Sequence, residues 1–161
     1  MVDSEKLRKL VIASAPDLIV PPGIDPVKIL CAILHNESSY GVFNVPRFEK
    51  AYGPGGKYYN HTQYTLWGAW ACCSYSSFQI MYPTARELGF TGTPGQLWND
   101  EEAIKWAIKL INVRIIRKQG AKTVNQIADG YNSGNCNDSI IPEVYIAKFV
   151  LAYNSDEFVR T

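Results

Sequence analysis

The segment 100–118 constrains the fold most, because its apolar residues repeat with the spacing of an α-helix. Residues three and four positions apart share one helical face. That face carries Ile104, Ala107, Ile108, Ile111 and Ile115. Asn99 precedes the segment as a favourable N-cap with Glu102 at capping-box spacing, and Gly120 follows it as a terminator. The pattern predicts a long helix with one buried face.

Shorter helices are predicted on both sides of this segment. Asp25 is a good N-cap and Pro26 is tolerated in a first helical turn, so we expect a helix to begin there. Its apolar stripe leads to Glu37. The other predicted helical segments are 3–13 with Ser4 as its cap, the apolar run 62–73, Pro83–Leu88, 123–130 and 141–153. On the long helix, Glu101 and Lys105 have the spacing of an i, i+4 ion pair.

Residues 41–61 differ from the helical segments, because they are rich in Gly, Pro, Asn and Tyr. Rough alternation of apolar residues there fits a loop or a small β-hairpin. The chain has 161 residues, 47% of them hydrophobic and 19% charged, as expected for one globular domain. We therefore expect residues 1–161 to form a single, mainly α domain of the α+β kind with about six to eight helices.

Charge and cysteine content disfavour several classes of function. The formal net charge is +1, whereas nucleic-acid-binding domains usually carry a basic excess, so no nucleic-acid partner is expected. Cys31, Cys72, Cys73 and Cys136 show no paired metal-binding spacing, and there are two histidines. We expect no metal and no cofactor. Buried reduced thiols are the simplest interpretation of the cysteines, with a disulfide to Cys136 left open.

The N-terminal segment, MVDSEKLRKLVIASAPDLIV, starts acidic and carries basic residues before a short apolar patch. Such a segment is a poor signal peptide and is too short in apolar residues to span a membrane. We therefore expect a protein made in the cytoplasm without a signal peptide, which does not insert into membranes. A monomer is also expected.

Glu37 is the residue most suggestive of chemistry, because a carboxyl group falls at the end of the apolar stripe of its helix. Loss of solvation penalises the charged form, so the pKa of Glu37 is expected to rise. A protonated carboxylic acid near neutral pH is the group that a glycosidic leaving oxygen requires. A structural Glu that caps neighbouring backbone remains the alternative.

Several runs stand out in order along the chain. They are PVKILCAILHNESSY at 26–40, FQIMYPTA at 78–85, LWNDEEAIKWAIKLI at 97–111, ADGYNSG at 128–134 and the closing YIAKFVLAY. The first resembles the apolar helix ending in Glu-Ser of the lytic transglycosylases (SLT domain) and goose-type lysozymes. The others are similar to that family's Gln-Ile-Met-Pro, Leu-x-Asp-Pro-Glu-x-Asn-Ile and Ala-Tyr-Asn-Ala-Gly motifs and to its tyrosine-containing tail. The resemblance covers most of the chain.

The resemblance implies a lysozyme-like fold and cleavage of the β-1,4 bond between N-acetylmuramic acid and N-acetylglucosamine. Glu37 would protonate the leaving oxygen, and in a lytic transglycosylase the same group then serves as base for the sugar's own 6-hydroxyl. The expected partner is the glycan strand of peptidoglycan. The substrate-binding residues that the resemblance implies are Ser38, Gln79, Tyr131, Asn132 and Tyr145.

The chain also departs from the family pattern, and these departures leave the product open. Ser76-Ser77-Phe78 precedes Gln79 where the family has Gly-Leu-Met, and Tyr82 is inserted before Pro83. The run Arg47-Phe48-Glu49 resembles one in some phage muramidases. Glu49 is therefore the candidate second carboxylate of a hydrolytic muramidase. Asp100, Glu101 and Asp129 are further choices.

Two other interpretations remain at this point. A non-catalytic glycan-binding or phage structural module can share a fold with an enzyme, since fold does not determine function. Within the enzyme class, a chain without a signal peptide and without an added wall-binding module suits a phage endolysin that acts on the bacterial cell wall after release through a holin.

Overall fold

Eight α-helices and a three-stranded antiparallel sheet make up the described part of the computed structural model, which comprises residues 3–138, 140, 142–155 and 158. The helices are α1 Ser4–Ser14, α2 Pro26–Ser38, α3 His61–Trp67, α4 Tyr82–Glu87, α5 Pro94–Leu97, α6 Asp100–Leu110, α7 Val124–Ser133 and α8 Glu143–Asn154. Short 3-10 turns lie at Ala15–Asp17, Lys50–Tyr52 and Gly68–Cys72, and a π-helical segment, Ile111–Lys118, continues α6. The mainly α class with a small β region is confirmed.

The central helix is α2, because residues 29–34 are all buried. A helix that is apolar on every side needs neighbours on every side, and α1 and α8 pack against it. Its start is as predicted: the Asp25 side chain accepts hydrogen bonds from the backbone N–H groups of Val27 and Lys28. The long helix over 100–118 is also confirmed, with its stripe buried from Ile104 to Ile115.

The sheet is built from β1 Arg47–Phe48, β2 Cys73–Tyr75 and β3 Ile80–Met81 in that order. β1 pairs with β2 with Arg47 opposite Ser74, and β2 pairs with β3. The region 41–61 therefore contains a strand but no hairpin of its own. Its partner strand is more than twenty residues away in sequence, and local alternation carries no information about such a partner.

Four local predictions were wrong. Asp3, not Ser4, caps α1, since its carboxylate accepts from the N–H groups of Glu5 and Lys6. The run 62–73 is not a buried helix, because α3 has no buried residue and a 3-10 turn follows it. Glu102 does not complete a capping box: its side chain pairs with Lys105 and accepts from the indole N–H of Trp106. The fourth, the Glu101–Lys105 pair, is replaced by a 3.0 Å ion pair between Glu101 and Lys6.

The remaining sequence predictions concern the C-terminal helices, the cysteines and the membrane. α7 and α8 lie where helices were expected, and the predicted position at Ile141 falls outside the described residues. All four cysteines are buried and free, as their simplest interpretation required. Within the described ranges, no helix is both long enough and apolar enough to cross a membrane.

Candidate active site

The end of α2 fixes the backbone beside Glu37. Ser39 closes the helix in the left-handed conformation with φ +48°, and its N–H donates to the carbonyl of His35. The hydroxyl of Ser38 donates to the carbonyl of Leu34 and accepts from the N–H of Gly41. Ser38 is 1% exposed, so the structure places it behind the acid, where it holds the helix end. Ser38 therefore has almost no exposed surface with which to make the predicted contact with substrate.

Tyr145 on α8 orients the Glu37 carboxyl group. Its hydroxyl donates a 2.6 Å hydrogen bond to Oε1 of Glu37. The side-chain amide of Asn36 donates to the backbone carbonyl of Tyr145 at 2.9 Å, which ties α8 to the same turn of α2. A carboxyl group whose rotamer is fixed from a neighbouring helix is pre-organised for proton transfer.

Burial raises the pKa of Glu37, and the other neighbours modify this effect. The hydrogen bond from Tyr145 and the positive charge of Arg47 lower the pKa, whereas the negative charge of Glu49 raises it. Desolvation dominates, so the carboxyl keeps its proton to a higher pH than an exposed Glu does. Glu37 is only partly buried, which leaves the acid accessible from solvent.

Tyr131 and Asn132 are consecutive residues near the end of α7. Tyr131 is partly buried, and its hydroxyl donates to the backbone carbonyl of Phe78 at 2.8 Å. Burial raises the pKa of the Tyr131 phenol, and the negative charge of Glu37 raises it further. Asn132 is exposed. Tyr131 thus ties α7 to the turn between β2 and β3.

Gln79 ends that turn in a left-handed backbone conformation with φ +46°. Its side-chain amide donates to the carbonyls of Val45 and Ser76 at 3.1 and 2.9 Å, and its Oε1 accepts from the hydroxyl of Ser74 at 2.6 Å. Gln79 is 7% exposed. Protein atoms therefore occupy the amide, which holds the chain before β1 against the turn. Its predicted contact with substrate stays a prediction.

Arg47 lies in β1 and Glu49 directly follows the strand, and both act on Glu37 through their charges. The Nε of Arg47 lies 2.7 Å from Oε1 of Glu49, so the candidate second carboxylate is already paired. The other carboxylates considered have different partners. Asp100 accepts from the backbone N–H and hydroxyl of Ser77, Glu101 pairs with Lys6, and Asp129 is buried and accepts from the hydroxyl of Ser133.

Two cavities that share several lining residues lie beside the end of α7. The inner cavity, of about 130 Å³, is lined by Gln79, Tyr131 and Asn132 among others. The outer cavity, of about 710 Å³, shares Tyr52, Thr84, Arg114, Ser133 and Gly134 with it. Glu37 lines neither cavity, whereas Tyr131, whose pKa the Glu37 charge raises, lines the inner one.

Sequence reasoning missed part of this surface. The tyrosine-rich stretch 41–61 supplies Tyr52 and Tyr58, which both line the outer cavity with ring centroids 5.2 Å apart. Lys57 and Arg86 also line that cavity but were not singled out from the sequence. Two signals in the sequence could have identified these residues. Lys57 is adjacent to Tyr58, and Arg86 directly follows the 78–85 run.

Metal-binding geometry is absent from the part of the chain described above: no group of three or more His, Cys, Asp or Glu side chains lies close enough together to hold an ion. Comparison of the chain with protein-family models, curated proteins and solved structures finds no match. Functional inference therefore depends on the residues of the site and on the motif resemblance.

Proposed function

We propose that this protein is a peptidoglycan glycosidase that cleaves the β-1,4 bond between N-acetylmuramic acid and N-acetylglucosamine, with Glu37 as the proton donor. One observation carries the proposal: the Glu37 carboxyl group lies at a partly buried helix end, held by the Tyr145 hydroxyl at 2.6 Å, where burial raises its pKa. A general acid needs both a fixed orientation and a proton retained near the working pH.

The reaction follows the lytic transglycosylase course. Glu37 gives its proton to the glycosidic oxygen as the bond to C1 of N-acetylmuramic acid breaks. The resulting Glu37 carboxylate takes the proton of the 6-hydroxyl of the same sugar, whose oxygen bonds to C1. This regenerates the acid and yields a 1,6-anhydro ring without water and without a second carboxylate. One oxygen of Glu49, the alternative base, already pairs with Nε of Arg47, and this course needs no second carboxylate.

Hydrolysis by a lysozyme-type muramidase is the second candidate. It is favoured by the negative charge of Glu49, which raises the pKa of Glu37. In that course Glu49 would serve as nucleophile or as base for water, as the second carboxylate does in most glycosidases. The product then carries a reducing end.

Mass spectrometry of soluble fragments released from purified peptidoglycan tests these proposals. Wild type is compared with Glu37→Gln, which keeps size and hydrogen bonding but removes the titratable proton, and with Glu143→Gln as a matched control on the exposed side of α8. We expect anhydro-muropeptides from wild type and the control, and a loss of about 10²-fold or more in Glu37→Gln.

The other outcomes have distinct meanings. Reducing muropeptides that also require Glu37 would move the assignment to hydrolysis. Equal release by wild type and Glu37→Gln would exclude Glu37 as the acid. If no muropeptides are released from several wall types, the assignment would change from an enzyme to a non-catalytic glycan-binding module.

A further inference from the structure

Asn36, which directly precedes the acid on α2, holds Tyr145 at a second point. Its side-chain amide donates a 2.9 Å hydrogen bond to the backbone carbonyl of Tyr145, whereas the Tyr145 hydroxyl donates to Oε1 of Glu37 at 2.6 Å. Two consecutive residues of α2 therefore contact opposite ends of the same tyrosine, one at its backbone and the other at its hydroxyl.

The first turn of α8 depends on this contact for its position. α8 begins after Pro142, and no side chain among the described residues caps its start. An uncapped first turn is held less firmly by its own helix, so a hydrogen bond from a neighbouring helix contributes more to where it lies. The bond from Asn36 spans 109 residues of sequence and joins this turn to the end of α2.

The donors and acceptors around Asn36 can be assigned, because a backbone carbonyl can only accept. The amide nitrogen of Asn36 must therefore face Tyr145, which leaves its Oδ1 toward Nδ1 of His35 at 3.2 Å. That contact is a hydrogen bond only when Nδ1 carries a proton. His35 thus fixes the amide in the orientation that Tyr145 requires, and the His35 ring lies against Tyr40 with centroids 5.4 Å apart.

We propose that Asn36 is a positioning residue for Glu37, which acts through Tyr145 and is itself fixed by the Nδ1–H of His35. This inference rests on the proposed function, in which Glu37 is the proton donor. Asn36 also acts on the phenol. Burial and the negative charge of Glu37 raise the pKa of Tyr145, whereas hydrogen bonding by Asn36 lowers it. Because hydrogen bonds in a chain polarise one another, Asn36 strengthens the bond that orients the acid.

Groups on two other elements lie near Glu37, and none of them is joined to Asn36 by a hydrogen bond among the described residues. Burial raises the pKa of Glu37 and the α8 hydroxyl lowers it; at β1, Arg47 lowers it and Glu49 raises it. On α7, the Tyr131 hydroxyl donates to the turn between β2 and β3. The route from Asn36 to the acid therefore passes through α8.

The test is a double-mutant cycle on the pKa of Glu37, measured by carbon-13 NMR of the glutamate carboxyl groups with Glu37→Gln to assign the signal. Since the Tyr145 bond lowers that pKa, Asn36→Leu should raise it, by no more than Tyr145→Phe does. In the Tyr145→Phe background, Asn36→Leu should cause no further rise. Asn125→Leu, which removes an exposed amide on α7, is the matched control and leaves the pKa unchanged. No rise in Asn36→Leu, or an equal rise with and without the Tyr145 hydroxyl, would overturn the proposal.

Wild-type protein tests the same chain without any substitution. Nitrogen-15 NMR of the His35 ring at about pH 9, where a histidine side chain is ordinarily neutral, should find the proton on Nδ1. A proton on Nε2 would overturn the assigned order of hydrogen bonds.

Turnover separates failure of this inference from failure of the proposed function, because the NMR measurements need no substrate. If Glu37 is the proton donor, Asn36→Leu lowers kcat about three- to tenfold and changes KM by less than about twofold. A raised KM with unchanged kcat would overturn the positioning role. A coupled pKa shift without release of muropeptides from any wall would refute the proposed function and still support Asn36 as the residue that positions this carboxyl group.

Discussion

The hydroxyl of Tyr145 donates a 2.6 Å hydrogen bond to Oε1 of Glu37, across 108 residues of sequence. The bond joins the last turn of α2 to the first turn of α8. The bond stabilises the carboxylate form and therefore lowers the pKa of Glu37, whereas burial of the side chain raises that pKa. The acid's proton affinity is thus set by two helices together rather than by α2 alone.

Replacing Tyr145 with Phe removes the hydroxyl but keeps the ring. Since the lost hydrogen bond lowers the pKa of Glu37, the pKa rises further in Tyr145→Phe. A general acid stops working as pH rises through its pKa, so the alkaline limb of the kcat/KM profile moves to higher pH. We expect kcat to fall about tenfold as well, because the carboxyl loses its fixed orientation. An alkaline limb that stays in place or moves to lower pH would contradict this role.

Several features of the fold and site could be predicted because their signals are local. Asp25 and Pro26 mark a helix start within one turn, and the structure has that cap. The stripe Ile104 to Ile115 shows its buried face through helical periodicity alone. The placement of Glu37 at the end of an apolar stripe likewise predicted a rise in its pKa, the direction that the structure gives.

Features that depend on distant partners could not be predicted in this way. Arg47 pairs with Ser74 across the sheet, and nothing in 41–61 specifies that register. Glu101 forms its ion pair with Lys6 on α1 and not with Lys105 on its own helix, because tertiary packing brings α1 and α6 together. The three hydrogen bonds of the Gln79 amide also join segments that are separate in sequence.

Glu49→Gln should shift the pH profile in the opposite direction from Tyr145→Phe. The Glu49 charge raises the pKa of Glu37, and its removal also frees Arg47, whose charge lowers that pKa. The alkaline limb of kcat/KM therefore moves to lower pH. In a transglycosylase, kcat at the optimum changes less than about tenfold, whereas a hydrolase that uses Glu49 loses about 10²-fold or more. Glu143→Gln, measured in parallel, should leave the limb unchanged.

The titration of Glu37 also affects folding. Its pKa is higher in the folded than in the unfolded protein, so between the two values the folded state binds more protons. The contribution of protonated Glu37 to the free energy of unfolding is therefore complete below the pKa of the unfolded state. It is lost as pH rises through the pKa of the folded state. We expect Glu37→Gln to have a larger free energy of unfolding than wild type at pH 8, and the difference to shrink toward pH 4. Urea denaturation at both pH values measures it, and a wild-type advantage that grows with pH would refute it.

Gln79→Leu distinguishes a structural from a substrate-binding role for this amide. The change removes the side-chain hydrogen bonds to the carbonyls of Val45 and Ser76 and from the hydroxyl of Ser74. The Ser76 carbonyl keeps the backbone N–H of residue 79 as its donor, and the Ser74 hydroxyl keeps the carbonyl of Arg47 as its acceptor. Unsatisfied buried polar groups destabilise a protein by about 1–3 kcal/mol. Leu is as unfavourable as Gln at φ +46°, so the substitution relieves no backbone strain that would offset this loss.

We therefore expect the free energy of unfolding of Gln79→Leu to fall by about 1–3 kcal/mol. Asn125→Leu, an exposed amide on α7, should change it by less than about 0.5 kcal/mol. If the proposed function holds, release of muropeptides should also decline, because the amide positions the chain before β1 and hence Arg47 and Glu49. A Gln79→Leu protein as stable as wild type, with a raised KM alone, would assign the amide to the substrate instead.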